Sequence, residues 1–402
     1  MTIPMSQPDI GPRERAAVAE VLAGPTLSIG PRLARFEAAM AARAGRPHAA
    51  GVSSGTAGLH LCMLAAGVGA DDLVLTTPFS FVASANCALY VRARPVFVDV
   101  DPVTLTLDPG RLADAVARLA GGSRRPRAVV PVHVFGQTAD MDPILEIARA
   151  HDLVVVEDAC EAIGAEYHGR PAGGLGDAGV FAFYPNKQMT TGEGGMIVTP
   201  HADWDALCRS LRNQGRDVFD GWLTHARLGY NYRLDELSAA LGEVQLARLD
   251  ELLAARARVA GWYDARLGDV EGVAPLARAP WTTRMSWFVY LVRLADAADR
   301  DALIAGLARR DVPARAYFSP IHLQPFYRRL LGHRPGDFPV SEAAGASCVA
   351  LPFFGTMREA EVDEVAGAVV GVLAELAERR AARATACPPR VPDPQSAPEG
   401  VS

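Results

Sequence analysis

The chain has 402 residues, 50% apolar and 21% charged, with 40 basic against 46 acidic side chains and a formal net charge of -6. That composition predicts a globular protein long enough for two domains, and it offers no basic stripe for sequence-independent nucleic-acid binding. The start, MTIPMSQPDIGPRER, lacks the charged-then-apolar order of a leader, the apolar stretch Val362 to Leu376 is interrupted by Asp363 and Glu364, and the six cysteines form no Cys-x-x-Cys pair; a cytoplasmic protein with no membrane span, metal site or disulfide frame is expected.

Between about residues 50 and 200 short apolar runs alternate with amphipathic stretches. DLVLTT (72–77), PVFVDV (95–100), RAVVPV (127–132) and DLVVVED (152–158) read as buried strands. Helical periodicity occupies 56–67, 81–93, 109–119 and 140–151, so the fold class is α/β with a largely parallel sheet. GVFAFYP (179–185) and GGMIVTP (194–200) are two further strands, joined by a polar loop instead of a helix. One long helical pattern runs from Asp235 to about Leu267, and WFVYLVRL (287–294) opens a second, smaller α/β unit. The expected division is 1–250 for the large domain with an N-terminal helical segment, 251–380 for the small domain, and 381–402 for a disordered tail carrying five prolines.

Of the 40 basic residues only Lys187 is a lysine. On a solvated face either cation serves, so drift toward arginine explains the missing lysines and leaves the surviving one to be explained. A primary amine can lose a proton and attack a carbonyl, whereas a guanidinium cannot. Lys187 is therefore a candidate Schiff-base residue, against the alternative of a chance survivor on a loop.

Gly174-Leu175-Gly176-Asp177-Ala178-Gly179 matches the dinucleotide pattern G-x-G-x-x-G, but a strand follows it where the mechanism needs a helix. Ser53-Ser54-Gly55-Thr56-Ala57-Gly58 leads straight into the apolar helix LHLCMLAAG. Such a start offers unpaired N–H groups to a phosphate, with Ser54 or Thr56 adding a hydroxyl; an ordinary serine N-cap reads the same way. Asp158 closes the strand LVVVED, where open α/β sheets bind ligands, and fits either a partner for a pyridine nitrogen or a turn cap. Glu161 follows three residues later. Phe81 opens a helix and suits either a cover for a flat ring or the core.

An anion cradle, a strand-end carboxylate, an aromatic cover and a unique lysine are the equipment for pyridoxal 5′-phosphate. Through SSGTAGLHL, TPFSFVASAN, VHVFGQTADM, VVEDACEAIGAEYHG, FAFYPNKQMTTGEGG and GYNYRLDELSAALG the chain resembles the DegT/DnrJ/EryC1/StrS sugar aminotransferases from about residue 5 to 378. The resemblance implies fold type I: a large domain with a mostly parallel seven-stranded sheet flanked by helices, and a smaller C-terminal α/β domain. It also implies that Lys187 holds the cofactor, Asp158 meets its ring nitrogen, Ser54, Gly55 and Thr56 bind its phosphate, and Phe81 stacks on it. Asn231 in GYNYR would reach the cofactor of the other subunit, making a homodimer with shared sites.

Two positions depart from the commonest family pattern. Ala182 stands where many members have a phosphate-binding serine. Glu161, a further cofactor-site residue, stands where many have Gln or His, which resembles the branch making 4-amino sugars such as perosamine. Tyr184, His322 in the Pro-bounded segment YFSPIHLQPFY, Arg233 and Arg315 are the candidate substrate residues. The implied substrates are L-glutamate and a nucleotide-diphosphate keto sugar of the 4-keto-6-deoxy class. Alternatives are a 3-keto sugar, a keto-cyclitol, or a non-catalytic sensor or regulator on the same fold.

Overall fold

The computed structural model describes residues 3–217 and 224–386. Its centre is a seven-stranded sheet: β1 (His48–Val52), β2 (Asp72–Thr76), β3 (Arg94–Phe97), β4 (Arg125–Val130), β5 (Val154–Asp158), β6 (Ala178–Ala182) and β7 (Gly195–Thr199). The spatial order is β1-β7-β6-β5-β4-β2-β3. Strands β6, β5, β4, β2 and β3 are mutually parallel, while β7 runs antiparallel to both of its neighbours. The sequence shows why: β2 reads DLVLT and is buried throughout, as a strand covered on both faces must be. Helices including Gly55–Ala65, Pro109–Leu119 and Met141–Ala150 cover those faces.

The antiparallel β7 determines where the chemistry sits. A parallel partner to β6 would need a crossover helix; an antiparallel one needs only a loop. That loop, residues 183–194, therefore stays at the carboxyl edge of the sheet, and Lys187 lies in it. Strand β1 is antiparallel to β7 and so leads its own carboxyl end to the same edge, where the helix Gly55–Ala65 starts.

A second sheet of four strands, Val273–Pro275, Tyr290–Leu294, Cys348–Leu351 and Arg315–Ala316 in spatial order, packs with the helices Leu249–Leu267 and Glu359–Ala386 around its own core. Val362, Val365, Ala366, Val369, Val372, Leu373 and Leu376 form the buried stripe of the closing helix at i, i+3, i+4 and i+7 spacing. No helix among the described residues is long and apolar enough to cross a membrane.

Three sequence expectations are corrected. The pattern from Asp235 to Leu267 is two helices, Glu236–Ala247 and Leu249–Leu267, because Arg248 leaves helical geometry at φ -102°, ψ 5°. Strand β1, HAAGV, lacks the bulky β-branched signal and was not among the strands expected from periodicity. Residues 381–386 of the expected tail continue the closing helix; 387–402 lie outside the described residues.

Candidate active site

A cavity of about 450 Å³ opens at the carboxyl edge of the large sheet, within the roughly 300–1,000 Å³ usual for small-molecule sites. Ser54, Gly55, Thr56, Phe81, Asp158, Glu161, Tyr184 and Lys187 all line it. These come from four separate chain segments, brought together by the βαβ winding and the β6–β7 reversal.

Ser54 caps the helix Gly55–Ala65, its Oγ accepting from the Ala57 N–H at 3.1 Å. Gly55 has a steric reason to be glycine: a Cβ there would stand 2.7 Å from Cys160 Sγ and 2.9 Å from Ala182 Cβ. The helix start can approach β6 this closely only without a side chain, and its N–H groups face the cavity edge. Asp158 is held by two donors, Ser84 Oγ at 2.6 Å and the Cys160 N–H at 3.2 Å. Those bonds fix the plane of the carboxylate at the end of β5.

The amine of Lys187 lies 3.5 Å from Glu161 Oε1 and 3.9 Å from the centre of the Phe288 ring. Glu161 also accepts from the Phe135 N–H at 3.0 Å, and Gln188 donates to the Glu161 carbonyl at 2.6 Å and to Ser286 Oγ at 2.8 Å. Burial pushes the Glu161 carboxyl above its ordinary range, with the Lys187 amine pulling the other way. Phe81 and Tyr184 are 61% and 52% exposed, unusual for large aromatic side chains and appropriate for walls of an open site. A larger cleft of about 860 Å³ shares Ser80, Phe81 and Phe318 with this cavity and continues past Tyr90, Phe326 and Arg329.

Four expected site residues do not line the cavity. His322 is fully buried, its Nε2 3.0 Å from Glu342 Oε1 and its ring packed against Phe338, away from the cavity lining. Arg233 donates to Asn213 Oδ1 at 3.1 Å, and Arg315 is exposed on the small-domain sheet, donating to the Ala314 carbonyl. Asn231 is exposed on a segment whose flanking tyrosines point inward: Tyr230 and Tyr232 stack at 5.0 Å and pack on His60. The period of two in an extended segment turns Asn231 to the opposite side.

Sequence reasoning missed Ser84, Phe288, Asn186, Tyr317 and Phe318. Ser84 was findable, three residues beyond Phe81 at the start of a helix. Phe288 and Tyr317 arrive from the small domain with no local signal. The glycine motif has a different use: the N–H groups of Gly173, Leu175 and Gly176 donate to the Glu157 carboxylate at 2.8, 2.6 and 2.7 Å. His133 Nδ1 accepts from the Ala139 N–H, leaving Nε2–H to donate to Glu157 at 2.8 Å. The loop thus cradles an internal carboxylate.

The cavity's donor set fits pyridoxal 5′-phosphate. It offers a helix start for an anion, a fixed carboxylate for a ring nitrogen, and an amine for an aldehyde carbon. The buried Asn186 Oδ1, also on the lining, has no hydrogen-bond partner among the described residues. The model of the DegT/DnrJ/EryC1/StrS aminotransferase family matches residues 8–370. GDP-perosamine synthase of Caulobacter vibrioides is 39% identical over 374 residues, 92% of this chain and 98% of the relative. Aminotransferase TlmJ from Streptoalloteichus hindustanus superposes with a TM-score of 0.86 at 35% identity, covering 93% of this chain and all of the other. S. venezuelae DesV does so at 0.82 and 33%, covering 89% and 93%. The fold is that of fold type I transferases, and the chain belongs to the DegT/DnrJ/EryC1/StrS family as a pyridoxal-phosphate-dependent aminotransferase.

Proposed function

We propose that the protein transfers the amino group of L-glutamate to a nucleotide-linked keto sugar of the 4-keto-6-deoxy class, by a ping-pong sequence in a homodimer. The observation that carries this reading is the meeting of the only lysine, Lys187, with Asp158, Glu161 and the helix start at Gly55 on one cavity. Similarity to a GDP-perosamine synthase supports the sugar class.

Ser54, Gly55 and Thr56 would hold the phosphate, Asp158 would keep the ring nitrogen protonated, Phe81 would cover the ring and Lys187 would anchor the aldehyde carbon. When bound, pyridoxal phosphate supplies an electron sink for the carbanion formed at the donor's α-carbon. Lys187 would remove the α-proton of glutamate and later deliver a proton to the former carbonyl carbon of the sugar. Glu161 lies beside that amine, 3.5 Å away, where it can orient it. One cavity serves both substrates in turn, hence the ping-pong order. The adjoining cleft houses the nucleotide, with aromatic faces at Tyr90 and Phe326 for the base and Arg329 for the diphosphate. Asn231 completes the site of the other subunit.

The test is a panel of nucleotide 4-keto and 3-keto sugars and keto-cyclitols, each incubated with the holoenzyme and glutamate, with products identified by mass and NMR. A 4-amino-6-deoxy sugar nucleotide with stoichiometric 2-oxoglutarate is expected. Amination of a cyclitol alone, or none, would overturn the proposal.

A further inference from the structure

Arg256 is a buried arginine, 4% exposed, on the helix Leu249–Leu267. No carboxylate pairs with it among the described residues; burial alone lowers its guanidinium to about 10, so it stays charged at neutral pH. Its Nη2 donates to the Lys187 carbonyl at 2.9 Å, and its Nη1 to the carbonyls of Trp287 at 3.1 Å and Phe288 at 3.2 Å. Phe353 lies under the guanidinium at 5.5 Å.

A buried charge without a counter-charge is costly, and an apolar side chain of the same size would serve stability better. What arginine alone supplies here is a planar fork of donors reaching two chain segments at once. One segment carries the reactive amine and the other carries the ring 3.9 Å from that amine. Their relative placement is therefore held through a single side chain.

We propose that Arg256 is a positioning residue for Lys187, locking the lysine's backbone against Phe288 so that the amine meets the cofactor aldehyde in one orientation. This rests on the reading of Lys187 as the covalent anchor. A displacement of about 1 Å can cost about 100-fold in a step that depends on alignment. Arg256→Lys keeps the charge but lacks the planar fork that spans both segments.

The test follows covalent capture. Apoenzyme is mixed with pyridoxal 5′-phosphate, quenched with borohydride at intervals, and the Lys187 peptide quantified. Arg256→Lys and Arg256→Gln are expected to be captured at least about tenfold more slowly than wild type while keeping a cooperative melt. Non-covalent affinity is measured in parallel in a Lys187→Ala background. There Arg256→Lys is expected to change affinity less than twofold, because no amine remains to be placed. Capture at the wild-type rate in a folded variant overturns the role of Arg256. So does an equal loss of affinity in the Lys187→Ala background, or failure of both variants to fold, either of which makes the residue structural. No capture at Lys187 in wild type overturns instead the functional reading beneath it.

Discussion

Ser84 Oγ donates a 2.6 Å hydrogen bond to Oδ2 of Asp158, tying the start of the helix Ala83–Tyr90 to the end of β5. The bond aims the carboxylate that the proposed mechanism uses to keep the ring nitrogen protonated. Asp158→Asn is expected to bind cofactor but to transaminate at least about 100-fold more slowly, a loss of about 2.7 kcal/mol. Ser84→Ala keeps the charge and loses only its aim, so a smaller drop, about tenfold in kcat, is expected. Steady-state kinetics on both variants decide it; an unchanged rate in Asp158→Asn with altered melting would make Asp158 a structural cap.

Glu161 gives a pH-dependent expectation. Its carboxyl is raised above the usual 4.5 by burial. The native protein therefore binds more protons than the unfolded chain in the window from 4.5 up to the raised value, and the group's contribution falls as pH rises through that window. Melting of cofactor-free wild type minus that of Glu161→Gln should decline across the window and flatten above it. A difference that grows with pH would show that Lys187 outweighs burial.

The candidate site was readable where chemistry is written locally. Lys187 stood out by composition, Asp158 by its place at a strand end, and Gly55 by the small residues before an apolar helix. Phe288 and Arg256 were not readable, because their roles arise from tertiary contacts with a loop far away in the chain. His322 lies in a Pro-bounded segment that reads as a loop, yet its side chain packs inward on Phe338, a tertiary contact with no local signal. The break at Arg248 was hidden for a similar reason: helical periodicity persists on both sides of one non-helical residue.

Glu157, itself fully buried, holds the glycine loop through three amides and the buried His133. Burial pushes its carboxyl up, but the bonds from His133, Gly176 and Leu175 outweigh that and hold it below 4.5. Its stabilisation is present above 4.5 and lost as pH falls through the lowered value. Glu157→Gln is expected to cost about 3–5 kcal/mol in urea unfolding at neutral pH, with the penalty shrinking in acid. A cost under about 1 kcal/mol would show that the loop holds itself.

For Asn231, the expectation is a shared site. Inactive Lys187→Ala chains mixed with inactive Asn231→Asp chains should regain activity, since a heterodimer then contains one intact site. Subunit exchange confirmed by mass spectrometry with no recovered activity would place Asn231 outside the partner's site.

The central claim, that Lys187 is the covalent anchor of an aminotransferase, is tested most directly by borohydride reduction of the holoenzyme followed by peptide mapping. Because the chain has one lysine, a single pyridoxyl adduct on the peptide containing Lys187 is expected, absent in Lys187→Arg together with turnover. An adduct elsewhere, or near-normal turnover in Lys187→Arg, would contradict it.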